Sequence, residues 1–320
     1  MQRPTRAQLH IEEETFCMPI LPFVPPQAVP TSAGHGFDYV TVDPVRRRVY
    51  AAHKGNNALL IVDADTGKVL GQVTVGPMAG VAVDPDNGHV YTGDGDGKSL
   101  SEVDPVAMKE LHRVNVSGPV DAIAYDPSNH RIYADEDDGT HMFIIDARTF
   151  KQIASVILPG HKPEFLAVDP RTHEVYQNIA SNSEIAVIDP KTLTVGRLIP
   201  TPEISNNHPL QFDYAYRELL VSGENHVLSS YTTTGKKIGS TTMPGRVDQC
   251  NLDQQRQILA CAAGGGVVLF SVKQNSAPSQ LAQLPVNAEM HTLAVDPSTG
   301  RIWAVWGTPS GDFVQGFTYR

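Results

Sequence analysis

The segment LAVDP stands at residues 166–170 and again at 293–297, and variants of it recur along the whole chain. Aligning the copies on their aspartate gives Asp43, Asp84, Asp126, Asp169, Asp213, Asp253 and Asp296, with successive spacings of 41, 42, 43, 44, 40 and 43 residues. Nothing else in the sequence limits the fold so strongly, because copies of one unit at a fixed period must bury their apolar surface against one another. Within a copy, an apolar run ends in Asp and a polar turn follows. A second run comes next (RRVYAAH, GHVYTGD, HRIYADE, HEVYQNI, GRIWAVW), then a third (LLIVDADTGK, FIIDARTFK) and a fourth (VLGQVTV, QIASVIL). β-branched and aromatic residues alternating between Gly, Asp and Pro turns predict four antiparallel strands per copy. A four-stranded unit of about 42 residues is a propeller blade. The chain is therefore predicted to be all-β, a seven-bladed β-propeller.

The seventh copy ends after its third strand, GDFVQGFTYR. The apolar stretch around residues 14–23 is expected to supply the missing outer strand, closing the ring and removing an exposed edge. This divides the chain into an N-terminal segment, 1–30, carrying the closing strand, and one propeller over 31–320. The 26 glycines and 24 prolines, with 19% charged residues, suit short strands and tight turns.

A formal net charge of −10 argues against a phosphate-backbone partner, so no nucleic acid is expected. The N-terminus MQRPTRAQLHIEEETFCMPILPFVPP lacks a signal-peptide layout, since three glutamates precede its apolar run and prolines interrupt it. No run approaches the roughly 18 apolar residues needed to span a bilayer. These features predict a soluble monomer with no membrane span, either not exported or lacking its leader here. Cys17, Cys250 and Cys261 are too few for a disulfide framework or a zinc cluster. They read as buried thiols, with a Cys250–Cys261 bridge as the alternative.

In a propeller the innermost strand of each blade lines the axial channel, and the loop leading into it opens on one face. Five residues before each anchoring aspartate stand Asp38, Ala79, Asp121, Glu164, His208, Asp248 and His291. With 35 acidic residues and 12 histidines in 320, chance places about one such side chain in a column of seven, and six are present. The anchoring column itself reads as structural, an Asp closing the turn between first and second strands on backbone amides. One reading of the inner column is the same capping role. Against it stands the mixture of Asp, Glu and His, which share metal ligation and proton transfer.

Four carboxylates around one narrow axis repel, so shared protons or a bound cation must offset them. Asp38, Asp121, Glu164, His208, Asp248 and His291 are thus candidate metal ligands. The two imidazoles favour a divalent transition metal (Zn, Cu, Mn or Fe) over Ca or Mg. A catalytic version would use Glu164, His161 and His291 for proton transfer. His35 and His161 precede the column in blades 1 and 4 and are candidates for a second layer around it. His53, His141 and His226 read as solvated loop histidines on the same face. His89, His130 and His173 fall at the opposite face and are given no role. GDGDGKS at 93–99 lacks the phosphate-loop spacing and reads as a hairpin, and DEDDG at 135–139 reads as a solvated turn.

The segments GFDYVTVDP, NNALLIVDADTGKVLGQV, GPVDAIAYDP, GHKPEFLAVD, NSEIAVIDPKTLTV and GRVDQCNLD resemble the YncE-like, YVTN-repeat β-propellers of the WD40-like repeat superfamily, over about residues 34–320. That resemblance implies a seven-bladed ring, frequent export to a periplasmic or secreted location, and acids where Asp38, Asp121, Glu164 and Asp248 stand. His208 and His291 depart from the family pattern. Three functions follow as expectations. The first is binding of a metal ion or small ligand at the channel mouth. The second is a metal-dependent enzyme of lyase or hydrolase type on the same ring. The third is a protein-interaction scaffold without a site.

Overall fold

A computed structural model describes residues 19–31 and 34–320. Seven sheets, each with four antiparallel strands in radial order, follow one another around a central axis. The innermost strands are Val40–Asp43, Met78–Val83, Val120–Asp126, Pro163–Val168, Asn207–Asp213, Val247–Asp253 and Thr292–Val295. The expected ring of seven blades is what the chain forms. Seven residues after each anchoring aspartate a side chain wedges between neighbouring blades: Tyr50, Tyr91, Tyr133, Tyr176, Leu220, Ala260 and Trp303, all buried. Large rings at five of these seven positions remove much apolar area from water, roughly 25 cal/mol per Å², where the wedge-shaped gaps need filling.

The anchoring aspartates are buried and do what their sequence position suggests. Asp43 Oδ1 accepts the N–H groups of Val45 and Arg46 at 2.9 Å each, and Asp253 and Asp213 repeat the arrangement two and three residues on. The same turns latch blade to blade. His173 Nδ1 bonds Asp126 at 2.8 Å and Arg217 pairs with Asp169. Across the seam, Arg47 Nη1 reaches Asp296 Oδ2 at 2.6 Å, joining the first blade to the last.

The seam is also closed by strand pairing. The last strand, Gly311–Tyr319, pairs with Ile20–Pro22 and with Gln27–Val29, so the outer strand of blade 7 comes from the N-terminal side as anticipated. It comes in two pieces where the sequence suggested one. Pro25 and Pro26 lack amide donors, and the chain steps out of the ladder between the pieces, with only Phe23 and Val24 donating to Gly316. Residues 14–18 of the expected strand lie outside the described residues, as does Cys17.

Three expectations are corrected. Cys250 and Cys261 are not thiols: they face each other directly across the first two strands of blade 6 and form a disulfide, with Cα atoms 4.0 Å apart. DEDDG is not a solvated turn throughout, because Asp135 ends inside the second strand of blade 3, fully buried. His53 is not a solvated loop residue: it ends the second strand of blade 1 without solvent contact, and stacks on Phe37. GDGDGKS is a hairpin, its Asp94 carboxylate taking the Gly97 N–H at 2.7 Å. No helix among the described residues is long and apolar enough to cross a membrane.

Candidate functional site at the channel mouth

In blades 2 to 6 the pairing between first and second strands slips at one place, leaving two residues opposite one: 79–80, 121–122, 164–165, 208–209 and 248–249. This is a β-bulge, a device that bends the strand and re-aims a side chain. The repeat carries it at the column position in each of these blades. Pro209 fits there because a bulge on an end strand needs no ladder donor.

The re-aimed side chains meet. His208 Nδ1 lies 2.9 Å from Glu164 Oε2, and its Nε2 contacts Asp248 Oδ1. Asp248 Oδ2 in turn bonds His291 Nδ1 at 2.5 Å. Blades 4, 5, 6 and 7 are thus joined by one chain of alternating carboxylates and imidazoles. Asp38 of blade 1 continues the arc, close enough that Asp248 and His291 act on its charge, and pairs with Lys54 Nζ at 3.6 Å. Asp121 of blade 3 sits deeper and accepts the Tyr39 hydroxyl at 3.2 Å. Among the described residues, none of these six side chains accepts a backbone amide, so the capping role of the outer Asp column is not repeated.

Blade 2 contributes Ala79 and Gly80, and the reason is close packing. A Cβ on Gly80 would collide with the carbonyl oxygen of Asp121 in the next blade. The Ala79 carbonyl accepts the Tyr39 N–H from the preceding blade.

Charge is distributed unevenly around the arc. Burial raises the Asp38 carboxyl to about 6, Asp248 adding to the rise and Lys54 and His291 opposing it. Burial, with Asp38, Asp135 and Glu164 nearby, pushes Asp121 well above the carboxylate range. Asp135 behind it is raised likewise by burial, although it accepts Gln177 Nε2 at 2.9 Å and the Ala122 N–H at 2.7 Å. On the other side the histidines prevail. Burial opposes but does not overcome the pull of Glu164 and Asp248 on His208, whose basicity rises, and the Asp248 bond raises His291. Asp248 stays low despite burial because two imidazoles face it. Proton affinity is therefore raised on the carboxyls of Asp38 and Asp121 on one side of the mouth and on the imidazoles of His208 and His291 on the other.

Beneath the arc the channel is crossed by Tyr39 and Phe165, from opposite blades, with ring centroids 5.7 Å apart. They form its floor. Recesses open beside the arc, one of about 140 Å³ lined by Glu164, His208, Glu224 and Arg246, another of about 420 Å³ over Asp248 and His291. Among the described residues no three or more His, Cys, Asp or Glu side chains are arranged to hold a metal ion. The imidazoles are turned to their carboxylates.

Of the further histidines, His35 lies 3.4 Å from Asp312 in the closing blade, and the exposed His161 ring has no polar partner among the described residues. Neither is bonded to the arc. Sequence reasoning missed Lys54, Tyr39 and Asp135. Lys54 follows the second strand of blade 1, in the same kind of loop between second and third strands that carries His226 in blade 5, and that position is its signal in the sequence.

Comparison with solved structures decides the architecture. The chain superposes with a TM-score of 0.76 on Kuenenia stuttgartiensis hydrazine synthase, at 15% identity over 89% of this chain and 96% of that one. It superposes with a TM-score of 0.74 on the Cps50 (Swd1) β-propeller domain of Myceliophteria thermophila, at 12% identity, covering 91% of this chain and 99% of that one. The fold is a β-propeller. Identities this low carry the fold and nothing finer. No family profile matches the chain, and no curated protein sequence is similar to it.

Proposed function

We propose that this propeller is a binding protein of the YncE-like kind that takes a small cation at its channel mouth through Asp38, Asp121, Glu164, His208, Asp248 and His291. The observation that supports it is convergence: carboxyl groups from four blades are aimed at one arc and bond imidazoles, a phenol and the Lys54 ammonium instead of loop amides. Drawing like charges together is costly unless positive charge offsets them. His208, His291 and Lys54 supply that offset within the chain, and a bound cation would take over part of it.

A divalent transition metal ion (Zn, Cu, Mn or Fe) suits a mixed imidazole and carboxylate set. It would require His208 and His291 to turn from their present partners. A small organic ammonium would need only the carboxylates. The protein would act as a monomer, with no nucleic-acid partner, since the chain's net charge is −10.

Elemental analysis of the purified protein, then calorimetric titration with Zn²⁺, Mn²⁺ and putrescine, tests the reading. Expected is saturable uptake of one cation class. Zinc or manganese binding would be lost in a His208→Ala, His291→Ala double variant, and amine binding in a Glu164→Gln, Asp248→Asn variant. Protein that retains no metal and binds none of the three overturns it.

One observation favours a second reading as an enzyme: a carboxyl raised to about 6, as Asp38 is, is suited to general acid–base work near neutrality. In that reading Glu164 and His291 move protons, and Asp38 takes the part expected of His161. Turnover assays on candidate carbonyl and ester substrates separate enzyme from binder.

A further inference from the structure

The aromatic floor divides the axis in two, and the lower part is a chamber in its own right. It has a volume of about 440 Å³ and runs from Tyr39 and Phe165 down to the Asp-Pro turns on the opposite face. That volume lies within the range of small-molecule sites, which are mostly apolar with a few placed polar groups. Its walls are small and aliphatic, including Val40, Val83, Ile123 and Ala124. Phe212 and the half-exposed Tyr214 stand toward its mouth. We propose that this lower chamber is a second binding site, for an uncharged, ring-bearing small molecule with a hydrogen-bonding oxygen.

The chemistry of the lining selects that class. No Lys, Arg, His or Glu side chain lines the chamber, and its one carboxylate, Asp126, is held by the Ser128 amide and His173. A charged ligand would lose its hydration there without gaining a counter-charge. A ring gains most, because the mutually tilted Tyr39 and Phe165 rings line the chamber. Most lining polar groups are already used: Gln211 Oε1 accepts the Leu252 N–H, Gln254 Nε2 donates to the Phe212 carbonyl, and Asn251 Oδ1 accepts the Val295 N–H. Four are not: the Asn251 amide nitrogen and the Thr41, Ser128 and Tyr214 hydroxyls line the chamber with no side-chain hydrogen bond among the described residues. A donor amide and a hydroxyl fit a carbonyl, ether or phenolic oxygen.

The test uses the whole protein and 2-naphthol, an uncharged planar fluorophore with one oxygen. Titration followed by fluorescence is expected to saturate at one equivalent, and 2-naphthalenesulfonate and 2-naphthylmethylammonium should bind at least about tenfold more weakly. Ala124→Phe, which fills the chamber, should abolish binding. Tyr214→Ala, at an exposed rim position where folding is not at stake, should weaken it several-fold. The His208→Ala, His291→Ala variant should bind 2-naphthol unchanged, which keeps this site distinct from the mouth. No saturable 2-naphthol binding, equal binding of the charged analogues, or full binding by both the Ala124 and Tyr214 variants overturns the proposal.

Discussion

His53 Nε2 meets Asp312 Oδ2 at 2.8 Å where neither side chain reaches solvent, joining the first blade to the strand that closes the last. The other ring nitrogen faces Gln72 Oε1, also at 2.8 Å. The orientation of that amide is set by its own donation to the Pro30 carbonyl and by a donation from Asn56. Both imidazole nitrogens therefore point at acceptors. Asp312 also takes the Thr31 hydroxyl at 2.6 Å and lies low despite burial, with Thr31 and His53 as the main opposing influences.

Removing one partner leaves a buried charge uncompensated, which costs about 3–5 kcal/mol. His53→Ala should lower stability by that amount in denaturant titrations. Because the Asp312 carboxyl is depressed in the folded state, its contribution is present above the unfolded carboxyl value and is lost as pH falls through the folded one. The variant and the parent should converge in stability at acid pH.

Deleting residues 1–30 should destabilise the entire ring and not merely its last blade. The cut removes both pairing segments of Gly311–Tyr319, the buried Ile20 and Val29, and Phe23, over which the Arg301 guanidinium lies at 3.5 Å. Burial of the two aliphatic side chains alone contributes at least about 3 kcal/mol. A single cooperative thermal transition, shifted down, is the expected calorimetric result, and two separate transitions would contradict it.

Stability should fall as pH rises above the unfolded carboxyl value and on through the raised values of the groups at the mouth. Asp38 and Asp121 have raised folded values, so above the unfolded carboxyl value the folded state keeps protons the unfolded chain has shed, and rising pH costs stability. His208 and His291 are raised as well. Their stabilisation is full below the unfolded histidine value and is lost as pH passes the folded one. Asp121→Asn replaces this carboxyl with a neutral amide of the same shape, so it should flatten the profile and raise the melting temperature at pH 8 relative to the parent.

Reduction of the disulfide, or Cys250→Ala with Cys261→Ala, should cost about 2–3 kcal/mol, as expected for cross-linking residues separated by 11 in sequence. Denaturant midpoints with and without dithiothreitol measure it. An unchanged midpoint would show the bridge to be energetically idle.

Legibility in the sequence followed the range of the interaction. The period of about 42 residues, the turn-closing aspartates and the strand runs are local patterns, and they carried the fold and the column from Asp38 to His291. That His208 spans Glu164 and Asp248 was beyond reach, because it depends on a bulge whose extra residue leaves no mark in composition. Asp135 looked solvated since its neighbours Asp137 and Asp138 are turn residues, and only the approach of Gln177 from the next blade shows it buried. Cys250 and Cys261 faced the same difficulty: their pairing is a matter of register, which a spacing of 11 permits without requiring.

The bulge that aims the column is a property of backbone register, kept in blades that carry Ala, Asp, Glu and His alike at that point. The mouth thus behaves as a rewritable seven-letter word printed on a fixed page. A combinatorial library randomised at positions 38, 79, 121, 164, 208, 248 and 291 would alter the ligand chemistry while leaving the supporting architecture in place, provided Gly80 beside the second letter is kept, since a Cβ there would meet the Asp121 carbonyl.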